Sequence, residues 1–267
     1  MSASHLVIGA QNGAAVALRN VTKVYGHGTD AVLALDDVGF SVRSGEFLCL
    51  VGASGCGKST ILHMIAGLDS PTAGTMAVPE GGVAMMFQDA ALFPWLTVSD
   101  NIGFPLRMSG MDAAARKVRV NELLAMVHLE QFADRQPHEL SGGMRQRVAL
   151  ARAIAQNARV LLMDEPFAAL DAMMRDHLHD ELERVWRETG LTVLFVTHNP
   201  REAARLGDRI LLLSSRPGRV ADEIRVSLPR PRRIDSTEIA TIAAQITNRL
   251  TEIRHGSPGT EAEVRDA

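Results

Sequence analysis

Eight consecutive residues constrain this chain more than any others: Gly52-Ala53-Ser54-Gly55-Cys56-Gly57-Lys58-Ser59. Just before them, Phe47-Leu48-Cys49-Leu50-Val51 is an unbroken apolar run, the pattern of a strand buried on both faces. Just after them, Ile61, Leu62, Ile65 and Leu68 recur at helical spacing. A glycine-rich turn between a buried strand and a helix start is a phosphate cradle. Glycines let the backbone curl so that successive N–H groups point inward at phosphate oxygens. The helix adds the positive end of its dipole. Lys58 has the reach for β- and γ-phosphates, and the Ser59 hydroxyl is placed to bind Mg²⁺.

Composition narrows the field. With 46% hydrophobic and 22% charged residues, the 267-residue chain has ordinary globular usage, which excludes a disordered chain, a collagen or a coiled-coil rod. The net charge of −3 gives no reason to expect nucleic acid as a partner. Two cysteines, Cys49 and Cys56, make neither a disulfide framework nor a zinc site, so a reducing compartment is expected. Met1–Ala10 has no basic segment ahead of its short apolar run, so no signal peptide is expected. No uninterrupted apolar run reaches 18 residues, and a membrane role would come through a partner.

Residues 16–51 alternate apolar and polar in short runs, with turns at Gly26, Gly28 and Gly45, and predict an antiparallel β region. From about 90 to 158 the pattern is helical, with Val118, Leu123, Leu124, Val127 and Leu129 near 3.6 spacing and a further helix after Gly143. Val160–Met163 and Val193–Val196 read as buried strands, and Ile210–Leu213 as an edge strand. Strands alternating with helices predict a parallel core with right-handed crossovers, interrupted by a helical insertion at about 89–158. Near the end, Ile239, Ile242, Ile246, Leu250 and Ile253 form one stripe, read as a packed terminal helix rather than a membrane binder because its polar face is not basic. Residues 255–267 read as a polar, frayed tail.

Further groups gather around the cradle's chemistry. Val160–Met163 runs into Asp164 and Glu165, and a buried strand ending in two carboxylates needs a partner for that charge. Beside a bound Mg²⁺, Asp164 would hold the metal and Glu165 would polarise the attacking water. His198 follows the strand Thr192–Thr197, at the rim where ligands bind in such sheets, with a γ-phosphate within its chemistry; a lone histidine is more often structural. Gln88 follows Met85-Met86-Phe87, and its amide suits both Mg²⁺ and water. Leu140-Ser141-Gly142-Gly143-Met144-Arg145-Gln146 opens another helix with an anion-seeking start. One nucleotide already has its cradle at 52–59, so this segment predicts a composite site made by two chains, head to tail.

With these motifs in view the chain resembles the ATP-binding subunit of an ABC transporter over roughly residues 16–225. The resemblance implies an α/β fold, the P-loop NTPase core of the ABC ATPase type with an antiparallel β subdomain and a helical insertion. It implies an ATPase domain at 16–235, with a C-terminal helix and polar tail at 236–267. It makes Tyr25 the aromatic that stacks on adenine and Gly52 to Thr60 the Walker A loop, with Ala53, Ser54, Gly55, Cys56 and Gly57 lining the phosphates. It makes Gln88 the Q-loop, Ser141, Gly142 and Gly143 the signature aimed at the γ-phosphate of the other protomer, and Asp164 and Glu165 the Walker B pair. Ala169-Leu170-Asp171 becomes the D-loop and His198 the switch histidine. Lys58, Glu165, Gln88 and His198 are then the catalytic set, and Ser59, Gln88 and Asp164 the ligands of Mg²⁺. Ala168 stands where the wider family often has Ser, and Asn199 where Asp is common; neither change removes a catalytic group.

Finer resemblance lies in Leu92–Val98, Glu165-Pro166-Phe167, Ser215-Arg216-Pro217-Gly218-Arg219 and Pro229-Arg230-Pro231-Arg232. These segments are similar to those of the nitrate/sulfonate/taurine importer group. With so few residues after 254, the C-terminal regulatory domain that sugar and molybdate importers often carry is not expected. The implied partners are a second copy of the chain, transmembrane permease subunits and, indirectly, a substrate-binding protein, at the cytoplasmic face of a bacterial inner membrane. Other importers, lipid or export systems and non-transport ABC ATPases are the alternatives. Phe93, Pro94, Trp95 and Leu96 read either as a docking patch for a permease helix or as a packing cluster.

Overall fold

The computed structural model describes residues 14–79, 82–168 and 170–256. The readings of Met1–Ala10, of Ala169 and of the tail beyond 256 lie outside the described residues. The chain divides into two compact units. The described residues up to Val78 and from Phe195 onward form the first, and those of Pro79–Leu194 the second.

In the first unit, β1 (Ala14–Tyr25) pairs antiparallel with β2 (Val32–Arg43), as the alternation between 16 and 42 predicts. The alternation slips once: Val16 and Leu18 are buried, then Val21 and Lys23. A register shift between Leu18 and Val21 absorbs the extra residue. At that bulge Asn20 sits at φ 50°, and its side-chain N–H donates to Asp37 Oδ1 at 2.7 Å. β3 (Phe47–Val51) is wholly buried and leads through the glycine loop to α1 (Lys58–Ile65). β4 (Ala73–Ala77) completes a three-stranded sheet in the order β2-β1-β4.

The core strands of this unit follow the order β7-β3-β8-β9. Here β7 is Thr192–Thr197, of which Phe195–Thr197 belong to this unit; β8 is Arg209–Leu213 and β9 is Val220–Arg225. β3 and β8 are parallel, with Leu48 opposite Arg209 and Val51 opposite Leu212. Two expectations change here. Ile210–Leu213 is not the edge, because β9 lies outside it, and β9 runs antiparallel to β8. The physical reason is β9's polarity: Val220-Ala221-Asp222-Glu223-Ile224-Arg225 buries only Ile224, a composition suited to an exposed edge.

After β7 come α6 (Pro200–Leu206) and, at the end of the described chain, α7 (Thr237–Gly256). α7 packs on α6 and on β9, burying Ile239 and Ile246 of the predicted stripe together with Ala243. The Pro229–Arg232 segment closes the far end of α6. Arg232 is buried, and its guanidinium donates to the carbonyls of Gly207 (2.6 Å), Arg205 (3.1 Å), Leu228 (3.1 Å) and Val226 (3.1 Å). Arg230 donates to Leu206 O at 2.5 Å and Asp208 Oδ1 at 2.8 Å.

In the second unit the strand order is β5-β6-β7, with β5 (Val83–Met86) parallel to β6 (Val160–Asp164) and Thr192–Leu194 supplying β7. α2 (Val98–Met108), α3 (Ala113–Met126) and α4 (Gly142–Ala155) pack on one another. α5 (Ala172–Thr189) follows β6. Thr97, Asp112, Ser141 and Asp171 each cap one of these helices by accepting a first-turn N–H, which is what fixes where the helices begin. Among the described residues no helix is long and apolar enough to cross a membrane.

Removing the Arg232 fork leaves several buried carbonyls without donors. Arg232→Ala is expected to cost about 2–4 kcal/mol of stability, read as a lower urea midpoint, and Arg232→Lys to recover only part because an ammonium cannot span the same acceptors. An unchanged midpoint in the Ala variant contradicts the clamp.

Candidate functional site

The glycine loop of the first unit is shaped by contacts that exclude larger residues. Gly57 stands at φ 92° ahead of α1, and a Cβ there would lie 2.4 Å from Leu35 Cδ2. Only glycine meets both demands. No N-cap side chain closes α1, a helix start of the kind that suits an anion. Ala53, Ser54 and Gly55 are exposed, whereas Gly52 and Cys56 are buried beneath them. Lys58 is 5% exposed, and its ammonium donates to Gly52 O at 2.9 Å and Ala53 O at 3.0 Å. A cation is thus held across the mouth of a donor-lined loop, the arrangement that suits a polyphosphate. Burial pushes the Cys56 thiol up, against the pull of Lys58, so Cys56 is a packing group rather than a nucleophile. Ser59 is exposed one residue into the helix and Thr60 is half-buried.

Tyr25 ends β1, 42% exposed. Its hydroxyl donates to Asp69 Oδ2 at 2.8 Å, and the Lys23 ammonium lies 4.8 Å from the ring centroid. Lys23 also pairs with Asp69 Oδ1 at 2.5 Å. Hydrogen bonds from Lys23 and then Tyr25 hold the Asp69 carboxyl below its usual range. The ring is therefore anchored at its edge with much of its surface open. His198 is exposed directly after β7. Its neighbours are locked: Thr197 Oγ1 donates to Glu202 at 2.5 Å and accepts the Asn199 N–H at 3.0 Å. Asn199 caps α6 by accepting the Arg201 N–H at 3.0 Å, the same service an aspartate would give.

In the second unit, α4 organises the predicted residues. Ser141 caps it, accepting the Met144 N–H at 3.3 Å, and Gly142 is exposed. Gly143 is buried so closely that a Cβ would lie 2.6 Å from Met174 Cγ. Further along the helix, Gln146 Nε2 donates to the Gln88 carbonyl at 2.8 Å, and Arg152 donates to Ala90 O (3.1 Å) and Ala91 O (2.9 Å). One helix thus fixes both the Ser141 turn and the stretch after Gln88. The aromatic segment is packed at one residue and exposed at another. Phe93 packs at 4.9 Å on Phe104 with Arg152 over its ring, while Trp95 is 70% exposed. Asn101, fully buried, shapes this segment. Its Oδ1 accepts the Phe93 N–H at 2.9 Å, and its Nδ2 donates to the carbonyls of Phe93, Leu96 and Thr97 at 3.2, 3.2 and 3.0 Å. Neither the Gln146–Gln88 bond nor the role of Asn101 was read from the sequence; a polar amide on the buried face of a helix is the signal that points to such residues.

Asp164 closes β6, half-buried, and Glu165 follows at φ 45°. A glutamate in the left-handed region carries strain of about 1–2 kcal/mol, the kind retained where a side chain must point one way. Asp171 caps α5, its Oδ1 accepting the Met174 N–H at 2.9 Å. Among the described residues no cluster of three His, Cys, Asp or Glu side chains makes a metal cage. The predicted donors are a hydroxyl, an amide and one carboxylate. That set fits Mg²⁺, which takes one or two protein oxygens and fills its octahedron with phosphate oxygens and water.

Three comparisons bear on this arrangement. Residues 35–168 match the family model described as ABC transporter. A taurine import ATP-binding protein of Burkholderia pseudomallei is 46% identical over 209 residues, covering 76% of this chain and 80% of its own. A nitrate import ATP-binding protein of Synechocystis is 42% identical over 219 residues, covering 79% and 82%. A spermidine/putrescine import ATP-binding protein of Mesorhizobium japonicum is 47% identical over 211 residues, covering 75% of this chain and 58% of its own. Among solved structures, a dimeric ATP-binding cassette in a post-hydrolysis state with ADP and Pi superposes with a TM-score of 0.72 at 35% identity. That match covers 80% of this chain and 100% of the cassette.

The fit of Gly57 against Leu35 is testable. Gly57→Ala is expected to cost at least about 1–2 kcal/mol from its dihedral alone. In a double-mutant cycle, Leu35→Ala should relieve the added clash, so that the pair loses less than the sum of the singles by about 1 kcal/mol. Simple additivity in urea denaturation contradicts the contact.

Proposed function

The chain belongs to the ABC transporter family, as one of its ATP-hydrolysing cassettes, and from that membership we propose that it energises import of a small anion such as a sulfonate, taurine or nitrate. The observation that supports an importer cassette most is a Walker A loop and a Ser141-capped signature helix in one chain. The anion assignment is supported by the named taurine and nitrate relatives, matched over most of their length, against 58% of the spermidine/putrescine relative.

In the reaction, a water oxygen bonds to the γ-phosphorus, the bond to the bridging oxygen breaks, and ADP and phosphate leave. Lys58 and the N–H groups of Gly52 to Ser59 bind the β- and γ-phosphates and stabilise the charge that develops on them. Ser59, Gln88 and Asp164 would hold Mg²⁺, which would supply further charge neutralisation on the phosphates. Glu165 orients the water and accepts its proton, and His198 donates to the γ-phosphate. Tyr25 stacks on the adenine. Ser141, Gly142 and Gly143 of a second copy close the site from outside, and Asp171 lies at the seam. ATP thereby joins two chains head to tail, and hydrolysis releases them, a ligand-driven shift between two dimer states. The exposed Trp95 and its neighbours carry that motion to permease subunits, which keep the cassette on the cytoplasmic face of the membrane. A substrate-binding protein delivers the cargo to those subunits.

Two outcomes follow. Glu165→Gln is expected to keep ATP affinity while turnover falls about 10²- to 10³-fold, measured as phosphate release; turnover like the native protein's would remove Glu165 from the role. Deleting the gene is expected to abolish growth on one of taurine, an alkanesulfonate or nitrate as sole sulfur or nitrogen source, and unimpaired growth on all of them contradicts the anion assignment.

A further inference from the structure

The turn Ser214–Arg219, between β8 and β9, takes no part in the roles above, yet it is built against the phosphate loop of its own unit. Gly218 lies so close that a Cβ there would be 2.1 Å from the Cys56 carbonyl oxygen. Its N–H donates to Ala34 O at 2.9 Å and its carbonyl accepts the Asp36 N–H at 3.0 Å, stitching the turn to β2. Ser214 closes the turn, donating to Pro217 O and accepting the Arg219 N–H, both at 3.0 Å. Thus braced, the turn holds Arg216 at φ 33°, a left-handed conformation that disfavours side chains. From there the guanidinium reaches the glycine loop: Nη2 and Nε lie 3.5 and 3.8 Å from where a Cβ of Gly55 would be. Arg219 is neutralised by Asp36, but the exposed Arg216 has no ion pair or hydrogen bond among the described residues. An uncompensated cation is therefore held, at a cost in backbone conformation, on a loop shaped for anions.

We propose that Arg216 is a positioning residue for the nucleotide's phosphate chain, its free charge beside Gly55 raising the positive potential of the cradle. The inference rests on the reading of residues 52–59 as a nucleotide cradle. A charge acting through partly solvated space strengthens binding most at low salt and for the most highly charged nucleotide.

The test is equilibrium binding of Mg-AMP-PNP to the full chain, at about 20 mM and about 500 mM salt. Arg216→Gly removes the charge while relieving the dihedral. It is expected to bind about 3- to 10-fold more weakly at low salt and nearly normally at high salt, with a melting midpoint unchanged or higher. Arg216→Lys, which keeps the charge, is expected to stay near the native affinity. Native affinity in the Gly variant at low salt overturns the proposal, and so does an equal loss in both variants at both salts, which marks a packing role. Lys58→Ala serves as the control for the underlying reading. If the native protein itself fails to bind, or binds no better than Lys58→Ala, the cradle reading falls and the inference with it.

Discussion

No N-cap side chain closes α1, and much of the first unit is arranged around that helix start. A buried strand delivers the chain to this point, and β3 has room for no polar alternative. Leu35 of β2 fills the space a side chain at position 57 would need, so the loop can only turn there through glycine. Lys58 folds back onto the carbonyls of Gly52 and Ala53 and places a positive charge inside the curve. The occupant proposed for this helix start is the phosphate chain of ATP.

The second unit meets a different demand. Its functional groups lie far apart in sequence and are held by α4 rather than by a loop. Gln146 reaches across 58 residues to the Gln88 carbonyl, and Arg152 holds the two carbonyls that follow soon after. Asn101 then freezes the next turn with its carboxamide, so that Phe93 is packed while Trp95 is left outside. α4 thus joins the Ser141 turn to the stretch that leads into the aromatic segment. This gives the proposed coupling between nucleotide and permease a physical carrier.

How much of this was legible in the sequence depends on the range of the interaction involved. β3, β6 and β7 were readable because strands buried on both faces leave continuous apolar runs, and the cradle because its glycines and Lys58 act within eight residues. β9 was not, since an exposed edge strand buries one residue in six and leaves no periodic trace. Glu165 and the Ser141 turn were read from their own segments, and the resemblance strengthened the weak local signals of Gln88 and His198. What no local pattern encodes are the tertiary bonds: Gln146 to Gln88, the Asn101 knot, the Arg232 fork, and Arg216 lying along Gly55. Polar residues such as these look like ordinary surface in one dimension and become specific only when the fold brings their acceptors to them.

The central claim is that a single copy is an incomplete enzyme. Specific ATPase activity should be measured across protein concentrations over which light scattering, with nucleotide present, passes from monomer to dimer mass. The account predicts negligible turnover per chain in the monomer, rising in step with the dimer fraction. Equal turnover per chain in monomer and dimer would contradict it.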